Sequence, residues 1–302
     1  MSDLKLYAYD LEDFIKSIVK KHTESDVTIY GRKDEDGNVT LFSPLRYPDK
    51  ISSLTDSMTL SDYCLINGRM MNSFLGENII CADLMKKKNG AFIVDSFTDT
   101  EKLKSIIKGS NLEDYEMYGG NAMELLARIR NSATPNEEGK VKVIIDHFFK
   151  VKSVGTVILG FVLSGTLKKH QTLFLNPPGI QVQVKSIQMN DVDHDEAPAG
   201  SRVGIALKNA DIEEITRGSL LEEEKTDLLS EITGSVKFHK AIPEEGRKNG
   251  EVFVAGHFIY SRGIMEGNKI TMDRPVLPWD DYILIKPNSK PRVIGRIERI
   301  SE

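Results

Sequence analysis

A loop with two glycines is the first segment of this sequence whose residue types could bind phosphate. It spans residues 31–38 and follows a strand-like run at 27–30. A phosphate-binding loop needs glycines five residues apart, whose neighbouring backbone N–H groups cradle the phosphates, followed by a Lys-Ser or Lys-Thr pair. Here Gly31 and Gly37 are six apart, Asn38 follows, and the three carboxylates of 34–36 would repel a triphosphate. The loop is therefore predicted to be a hairpin turn.

Metal-binding and nucleophilic residue patterns are the next chemistry to consider. The acidic run 191–196 does not fit a calcium loop, because Glu196 stands where glycine is needed and Arg202 where glutamate is needed. The six histidines are scattered without His or Cys partners at zinc-site spacing, and no Gly-x-Ser-x-Gly elbow occurs. The sequence thus predicts no metal site and no catalytic residue.

Alternating helix-like and strand-like segments must position any site in the first 135 residues. Apolar residues recur at helical spacing, and strand-like runs lie between these segments. The predicted helices are 10–21, 76–88, 99–108 and 121–130, and the strands are 27–30, 39–42 and 91–94. The segment 57–71 fits either a broken helix or a strand at 63–66. Such alternation predicts a parallel α/β layer in a domain of residues 1–135.

Short β-type runs replace the helical periodicity after the turn-rich segment 131–139, which is the predicted domain boundary. They lie at 142–149, 155–161, 172–175, 181–189 and 202–207. Regularly spaced short strands of this kind are typical of a sandwich or barrel. A polar connector at 211–224 precedes another β-rich run that begins near Ile232. We therefore predict two β domains, 140–224 and 225–302.

Charge is unevenly distributed along the 302 residues, whose net charge is −5. Basic and acidic residues number 17 and 23 over 1–139, 10 and 11 over 140–224, and 13 and 11 over 225–302. The acidic first segment disfavours a phosphate-binding surface there, whereas the last could contact nucleic acid. The longest uncharged stretch, 153–167, is too short for a membrane span. Two cysteines and a start without an apolar leader predict a cytoplasmic protein.

Four blocks between residues 152 and 218 resemble the second domain of translational GTPases. They comprise Gly155-Thr156-Val157 with Gly160, Val162, Gly165, Leu167-Lys168 and Leu173, then 184–189, 197–207 and 215–218. The glycines suit strands that bend tightly in a small barrel. Segments 273–276, 281–285 and 291–297 resemble the third domain of the same family more weakly. The chain looks most like elongation factor Tu and the selenocysteine-specific elongation factor of archaeal type.

This resemblance implies a multi-domain α/β plus β fold. A reduced P-loop-GTPase-like α/β domain would precede two β-barrels. The family's magnesium motif maps onto 43–47, which has neither its aspartate nor its glycine, and its guanine motif maps onto 96–99. Asp99 matches that motif, but Phe97 replaces its lysine, and Asp99 could equally cap the next helix. Gly31 and Asp99 are the vestigial nucleotide-site candidates, and no GTP hydrolysis is expected.

The resemblance also implies two sites for tRNA. The family's second domain holds the aminoacylated 3′ end of tRNA, and this pocket maps near Gln188, Arg202 and Ala206. An arginine at 202 could supply a fork for phosphate or carboxylate. The tRNA backbone would meet cations of the third domain. The candidates are Arg262, Lys286, Lys290, Arg292 and Arg296.

The function that follows is a translation elongation factor-like protein that binds aminoacyl-tRNA, the ribosome or both without GTP hydrolysis. No cofactor, membrane or DNA partner is expected. One alternative is an active GTPase with an atypical site, for which GTP and magnesium would be the cofactors. Another is an interaction scaffold derived from an elongation factor, in which the acidic first domain binds a protein partner.

Overall fold

A computed structural model describes residues 3–34, 37–130 and 138–300. The first domain contains seven strands and five α-helices in this part of the chain. Its strands are β1 (Leu4–Tyr9), β2 (Lys20–Glu24), β3 (Thr28–Asp34), β4 (Gly37–Ser43), β5 (Tyr63–Asn67), β6 (Gly90–Ile93) and β7 (Glu116–Tyr118). Its helices are α1 (Glu12–Ile18), α2 (Ile51–Thr59), α3 (Ser73–Leu84), α4 (Thr100–Ile107) and α5 (Ala122–Ile129).

A single sheet in the order β2-β3-β4-β1-β5-β6-β7 forms the centre of this domain. The pairings from β4 through β1 to β7 are parallel, and β2, β3 and β4 form antiparallel pairs. Side chains alternate between the two faces of a strand. In β1, Leu6 therefore packs with α1 and α5 on one face, whereas Tyr7 packs with α2, α3 and α4 on the other. The predicted α/β layer is confirmed.

Two local expectations need correction in this domain. The first helix ends at Ile18 rather than near residue 21, and Lys20–Glu24 forms the edge strand β2. The ambiguous segment 57–71 contains the strand Tyr63–Asn67, with α2 before it. Most of the predicted boundary segment, residues 131–137, lies outside the described residues.

The second domain is a barrel, called barrel II below. Its strands are β8 (Lys142–Val151), β9 (Gly155–Ser164), β10 (Thr166–Lys168), β11 (Thr172–Asn176), β12 (Ile180–Met189), β13 (Val192–His194), β14 (Glu196–Pro198), β15 (Arg202–Lys208) and β16 (Leu220–Glu222). The pairing of β11 with β12 closes the ring β11-β16-β8-β9-β15-β12. The predicted polar connector 211–224 is thus partly wrong, because Leu220 and Leu221 are buried in a barrel strand.

The third domain is a closed six-stranded barrel, called barrel III below. Its strands are β17 (Leu229–Phe238), β18 (Gly250–Gly256), β19 (Ile259–Glu266), β20 (Lys269–Val276), β21 (Asp281–Ile285) and β22 (Val293–Arg299). They pair in the order β17-β20-β19-β18-β21-β22. An α/β domain followed by two β-barrels is the fold class that the sequence predicted.

The three domains share hydrophobic cores. One cluster joins Tyr7 and Leu54 of the first domain to Ile283 and Val293 of barrel III. A second, the junction cluster, draws on all three domains. It includes Phe42 and Leu60 of the first domain, Phe161 and Leu220 of barrel II, and Leu284 and Ile297 of barrel III. In the described part of the chain, no helix is long and apolar enough to cross a membrane.

Candidate functional site

The turn from β1 into α1 is where an open α/β sheet of this topology would bind a phosphate, because ligands of such sheets lie at the carboxyl ends of the strands. Only Asp10 and Leu11 form this turn. Asp10 has a positive φ of 55°, and its backbone oxygen and Oδ2 each accept a hydrogen bond from Asn67 Nδ2 at 2.9 Å. Leu11 is buried. A carboxylate and an apolar side chain thus stand where a GTPase needs glycines and a lysine.

Gly31, one vestigial nucleotide candidate, lies inside strand β3 rather than between a strand and a helix. It pairs with Lys20 of β2 and Thr40 of β4. A Cβ on Gly31 would lie 2.4 Å from His22 Cε1, so the glycine makes room for that imidazole ring. Residues 35 and 36 and the side chain of Asp34 lie outside the described part of the chain. The observed pairing of β3 with β4 agrees with the predicted hairpin.

Asp99, the other nucleotide candidate, caps helix α4. Its Oδ1 accepts a hydrogen bond from the backbone N–H of Lys102 at 3.0 Å. Just before it, Asp95 Oδ1 accepts bonds from the Phe97 backbone N–H at 2.9 Å and from Thr98 Oγ1 at 3.0 Å. These bonds hold the pKa of Asp95 below its ordinary value. The helix-capping interpretation of Asp99 is therefore confirmed.

The three residues assigned to the tRNA 3′ end do lie together, in a groove between the first domain and barrel II. This groove has a volume of about 730 Å³, and Gln188, Arg202 and Ala206 all line it. In β15, Val203 and Ile205 point into the barrel core, so Arg202, Gly204 and Ala206 share the outer face. The small residues at 204 and 206 leave space on that face. Strand β2 supplies the opposite wall through Lys21, His22 and Thr23.

Arg202 joins the two walls of this groove. Its Nη2 lies 3.5 Å from Asp146 Oδ2 in β8 and donates to Thr23 Oγ1 of β2 at 3.4 Å. The guanidinium also lies over the Phe161 ring, 5.6 Å from the centroid. Gln188 is exposed, and its Nε2 donates to Asp193 Oδ1 at 2.9 Å. Arg202 therefore fixes the shape of the groove. Of the two polar side chains, Gln188 is the more accessible to a ligand.

The five cations assigned to the tRNA backbone do not form one exposed surface. Arg262 is exposed and pairs with Glu251 and with Asp273, the latter at 2.9 Å. Lys286 Nζ donates to the backbone oxygen of Lys248 at 2.6 Å, burial lowers the pKa of Lys286, and Lys290 is exposed.

Arg292 and Arg296 instead face the first domain. Arg296 is only 5% exposed, and its Nη1 donates to the backbone oxygen of Leu84 at the end of α3 at 3.1 Å. Arg292 Nη2 lies 2.6 Å from Glu77 Oε2, and Glu77 Oε1 accepts from the Arg292 backbone N–H at 2.8 Å. Burial alone would raise the pKa of Glu77, but hydrogen bonds and charge from Arg292 outweigh it and lower that pKa. These two arginines bind the domains to each other.

Comparison with known proteins gives the family. Residues 155–222 match the family described as Elongation factor Tu domain 2. An uncharacterized protein of Methanocaldococcus jannaschii is 33% identical over 289 residues, which cover 93% of this chain and 94% of that protein. The chain belongs to the family of that archaeal protein. Barrel II is therefore similar to the second domain of elongation factor Tu.

Two further matches are elongation factors, the first of them selenocysteine-specific. One, from Methanocaldococcus jannaschii, is 42% identical over 88 residues, which is 29% of this chain and 19% of that protein. The crystal structure of translation elongation factor SelB from Methanococcus maripaludis, in complex with the GTP analogue GppNHp, superposes with a TM-score of 0.80. It covers 99% of this chain and 79% of that one at 20% identity, so it shows a shared fold.

Sequence reasoning missed the first-domain wall of the groove and the partner of Arg292. Strand β2 is polar and lies at a sheet edge, so its residues show no alternation of apolar and polar types. Glu77 lies in the predicted helix 76–88, and the sequence does not indicate which distant residue its charge contacts. The signal available in the sequence is the mostly apolar run Leu4–Tyr9, which leads directly into the helix-like segment that follows.

Proposed function

We propose that this elongation-factor-like protein binds the aminoacylated 3′ end of tRNA in the groove between β2 and barrel II, without hydrolysing GTP. The observation that carries the proposal is the convergence of Gln188, Arg202 and Ala206 on one groove of about 730 Å³. Single-stranded 3′ ends are bound by cationic grooves and by stacking on flat side chains. Lys21 and Arg202, which pair with Glu24 and Asp146, are cations of the groove wall, and His22 provides a flat ring.

The absence of hydrolysis in this proposal rests on the turn between β1 and α1. Asp10 replaces the glycines and lysine that hold phosphates in a GTPase, and its carboxylate would repel the triphosphate. We infer that contacts such as the Arg292–Glu77 pair, rather than a bound nucleotide, hold the domains in one arrangement. The site of action that fits a tRNA-binding role is the cytoplasm.

Filter binding with aminoacylated and deacylated tRNA, at low and moderate salt, tests the proposal. Gly204→Leu places a bulky side chain in the groove, and its Cβ would have only ordinary contacts, 3.5 Å from Leu159 Cδ2. We expect this variant to weaken binding of aminoacylated tRNA at least about tenfold, or about 1.4 kcal/mol. Gln181→Leu is the matched control, because it adds the same side chain to β12 at an exposed position outside the groove.

Three results would contradict the proposal. The first is no tRNA binding by the wild-type protein at either salt concentration. The second is equal binding by the Gly204→Leu and wild-type proteins, and the third is equal weakening by both leucine variants.

A further inference from the structure

A second cavity, called the junction cavity below, lies where all three domains meet and away from the groove. Its volume is about 570 Å³, within the usual size of small-molecule sites, which favour domain interfaces. The first domain contributes Lys5 and Lys87, barrel II contributes Lys142, and barrel III contributes His257 and Trp279. A ligand there would contact every domain at once.

The wall of this cavity carries three lysines and three aspartates, and most of these charges are paired. Lys5 pairs with Asp62 at 3.3 Å, Lys142 pairs with Glu222 at 3.2 Å, and Asp281 on the wall pairs with Arg296 at 3.7 Å. Asp280, also on the wall, is exposed.

Lys87 has a different environment from the other two lysines. Its Nζ donates to the backbone oxygens of Thr59 at 2.9 Å and Ser61 at 2.7 Å. Within residues 3–34, 37–130 and 138–300, no carboxylate forms an ion pair with it. An ammonium has three N–H donors, so Lys87 retains one for a ligand.

The hairpin turn between β18 and β19, which brings His257 to the cavity wall, has a strained backbone. His257 and Phe258 both have positive φ, 51° and 63°, in a turn for which Asn-Gly is the favoured pair. Such strain in bulky residues collects at functional sites. The turn is held from outside: Thr59 Oγ1 accepts from the His257 backbone N–H at 3.2 Å, and Arg217 lies 4.4 Å over the Phe258 ring.

The aromatic pair on the cavity wall contains unsatisfied polar atoms. The rings of His257 and Trp279 stack with centroids 3.7 Å apart. Trp279 is 9% exposed, and neither its Nε1 nor His257 Nδ1 has a hydrogen-bond partner among the described residues. Burial, with Lys87 and Lys142 nearby, lowers the pKa of His257 to about 3, so the imidazole is neutral at physiological pH. Each buried polar atom without a partner needs a physical explanation, and binding of a polar ligand is one.

We propose that the junction cavity binds a small phosphate-bearing anion between Lys87 and Lys142, beside His257. Lysine binds phosphate as a compact point charge. The bound anion would form a direct ion pair with Lys87 and would link the first domain to both barrels. The cavity would then act as a ligand-dependent clamp on the domain arrangement, separate from the tRNA groove.

Intrinsic fluorescence tests this directly, because Trp279 is the only tryptophan of the chain. The full-length protein is titrated with sodium pyrophosphate and, in parallel, with sodium chloride of matched ionic strength. We expect a saturable fluorescence change with pyrophosphate only. Lys142→Gln and Lys87→Gln should each weaken that response at least tenfold. Lys150→Gln on the same strand, exposed and outside the cavity, is the matched control and should titrate like wild type.

Lys87 also binds the carbonyls at the end of α2, so Lys87→Gln could lower the stability of the fold. Lys142→Gln keeps the test decisive, because Lys142 is 37% exposed and leaves α2 untouched. A response that chloride reproduces, or an unchanged pyrophosphate affinity in a folded Lys142→Gln protein, would overturn the proposal.

Discussion

The guanidinium of Arg292 in barrel III and the carboxylate of Glu77 in α3 form a two-point pair across the domain interface. Arg292 Nη2 lies 2.6 Å from Oε2, and Nε donates to Oε1 at 3.0 Å. Tyr47 lies under the pair, with its hydroxyl donating to Glu77 Oε2 at 3.0 Å and its ring 5.5 Å from the guanidinium. Arg292, which the sequence indicates as a candidate RNA contact, therefore holds two domains together.

Removing this arginine should destabilise the protein strongly. Arg292→Ala leaves the Glu77 carboxylate, 8% exposed, without its partner, and breaking a buried pair in this way typically costs about 3–5 kcal/mol. Urea unfolding should show that loss. Arg262→Ala, which breaks exposed pairs with Glu251 and Asp273, is the control and should cost far less, because water screens these pairs. Equal losses of unfolding free energy in the two variants would contradict a special stabilising role for the Arg292–Glu77 pair.

Acid should weaken the same interface. The pKa of Glu77 is lower in the folded protein than in the unfolded chain, where it is about 4.3. Its stabilising contribution is therefore complete above that value and is lost as the pH falls through the folded pKa. Unfolding free energies measured from pH 6 to 3 should fall less steeply for Glu77→Gln than for wild type. If the unfolding free energies of the two proteins fell in parallel with pH, Glu77 would not be the cause of the acid sensitivity.

Asp56 should have the opposite dependence on pH. It lies 3.3 Å from Arg217 across the contact between the first domain and barrel II, but burial raises the pKa of Asp56 to about 7. Between about pH 4 and 7 the folded state therefore holds a proton that the unfolded chain has lost, so stability falls as pH rises. One such group gives a slope of up to about 1.4 kcal/mol per pH unit. Asp56→Asn should remove that slope in pH-dependent urea unfolding, and an unchanged slope would contradict the assignment.

GTP with magnesium should leave the melting temperature unchanged. A ligand at 1,000 times its dissociation constant stabilises a protein by about 4 kcal/mol, so a micromolar site would give a clear shift with millimolar GTP. Differential scanning fluorimetry with GTP, with and without magnesium, makes the comparison. A magnesium-dependent rise would show that Asp10 and Leu11 do not exclude the nucleotide.

Gly160 should be intolerant of any side chain. A Cβ there would lie 2.3 Å from the backbone oxygen of Ile144, so Gly160→Ala forces β8 and β9 apart. We expect a loss of about 1–3 kcal/mol or more in thermal or urea unfolding. Gly76→Ala in α3 is the control: its Cβ would meet nothing within 4 Å, and it should stabilise by about 0.4–1 kcal/mol. A neutral Gly160→Ala would show that the strands can separate without cost.

Periodic and glycine-rich segments were the predictable part of the fold. The barrel strands appeared as separate β-type runs, and Asp99 could be recognised as a helix cap because a cap depends on residues only three positions away. Strand β2 gave no such signal, since Lys20–Glu24 is almost wholly solvent-facing. Its position over barrel II depends on tertiary pairing with β3, which local pattern does not contain.

The candidate site was predictable only for residues that lie within a family motif of recognisable spacing. Gln188, Arg202 and Ala206 meet because β12 and β15 are neighbours in a barrel whose strand order follows from its family. Arg296 is different, because its burial results from packing against α3, far away in sequence. A count of positive charges gives the same weight to a solvated arginine and to one that joins two domains.

The junction cluster means that the three domains are not interchangeable modules. Phe42 of the first domain and Phe161 of barrel II lie 5.4 Å apart within it, so a cut between these domains would uncover both rings. Separately produced halves of the chain should therefore aggregate through their exposed apolar surfaces. When mixed, they should reassemble, as in fragment complementation. The three domains are therefore expected to unfold together, as one cooperative unit.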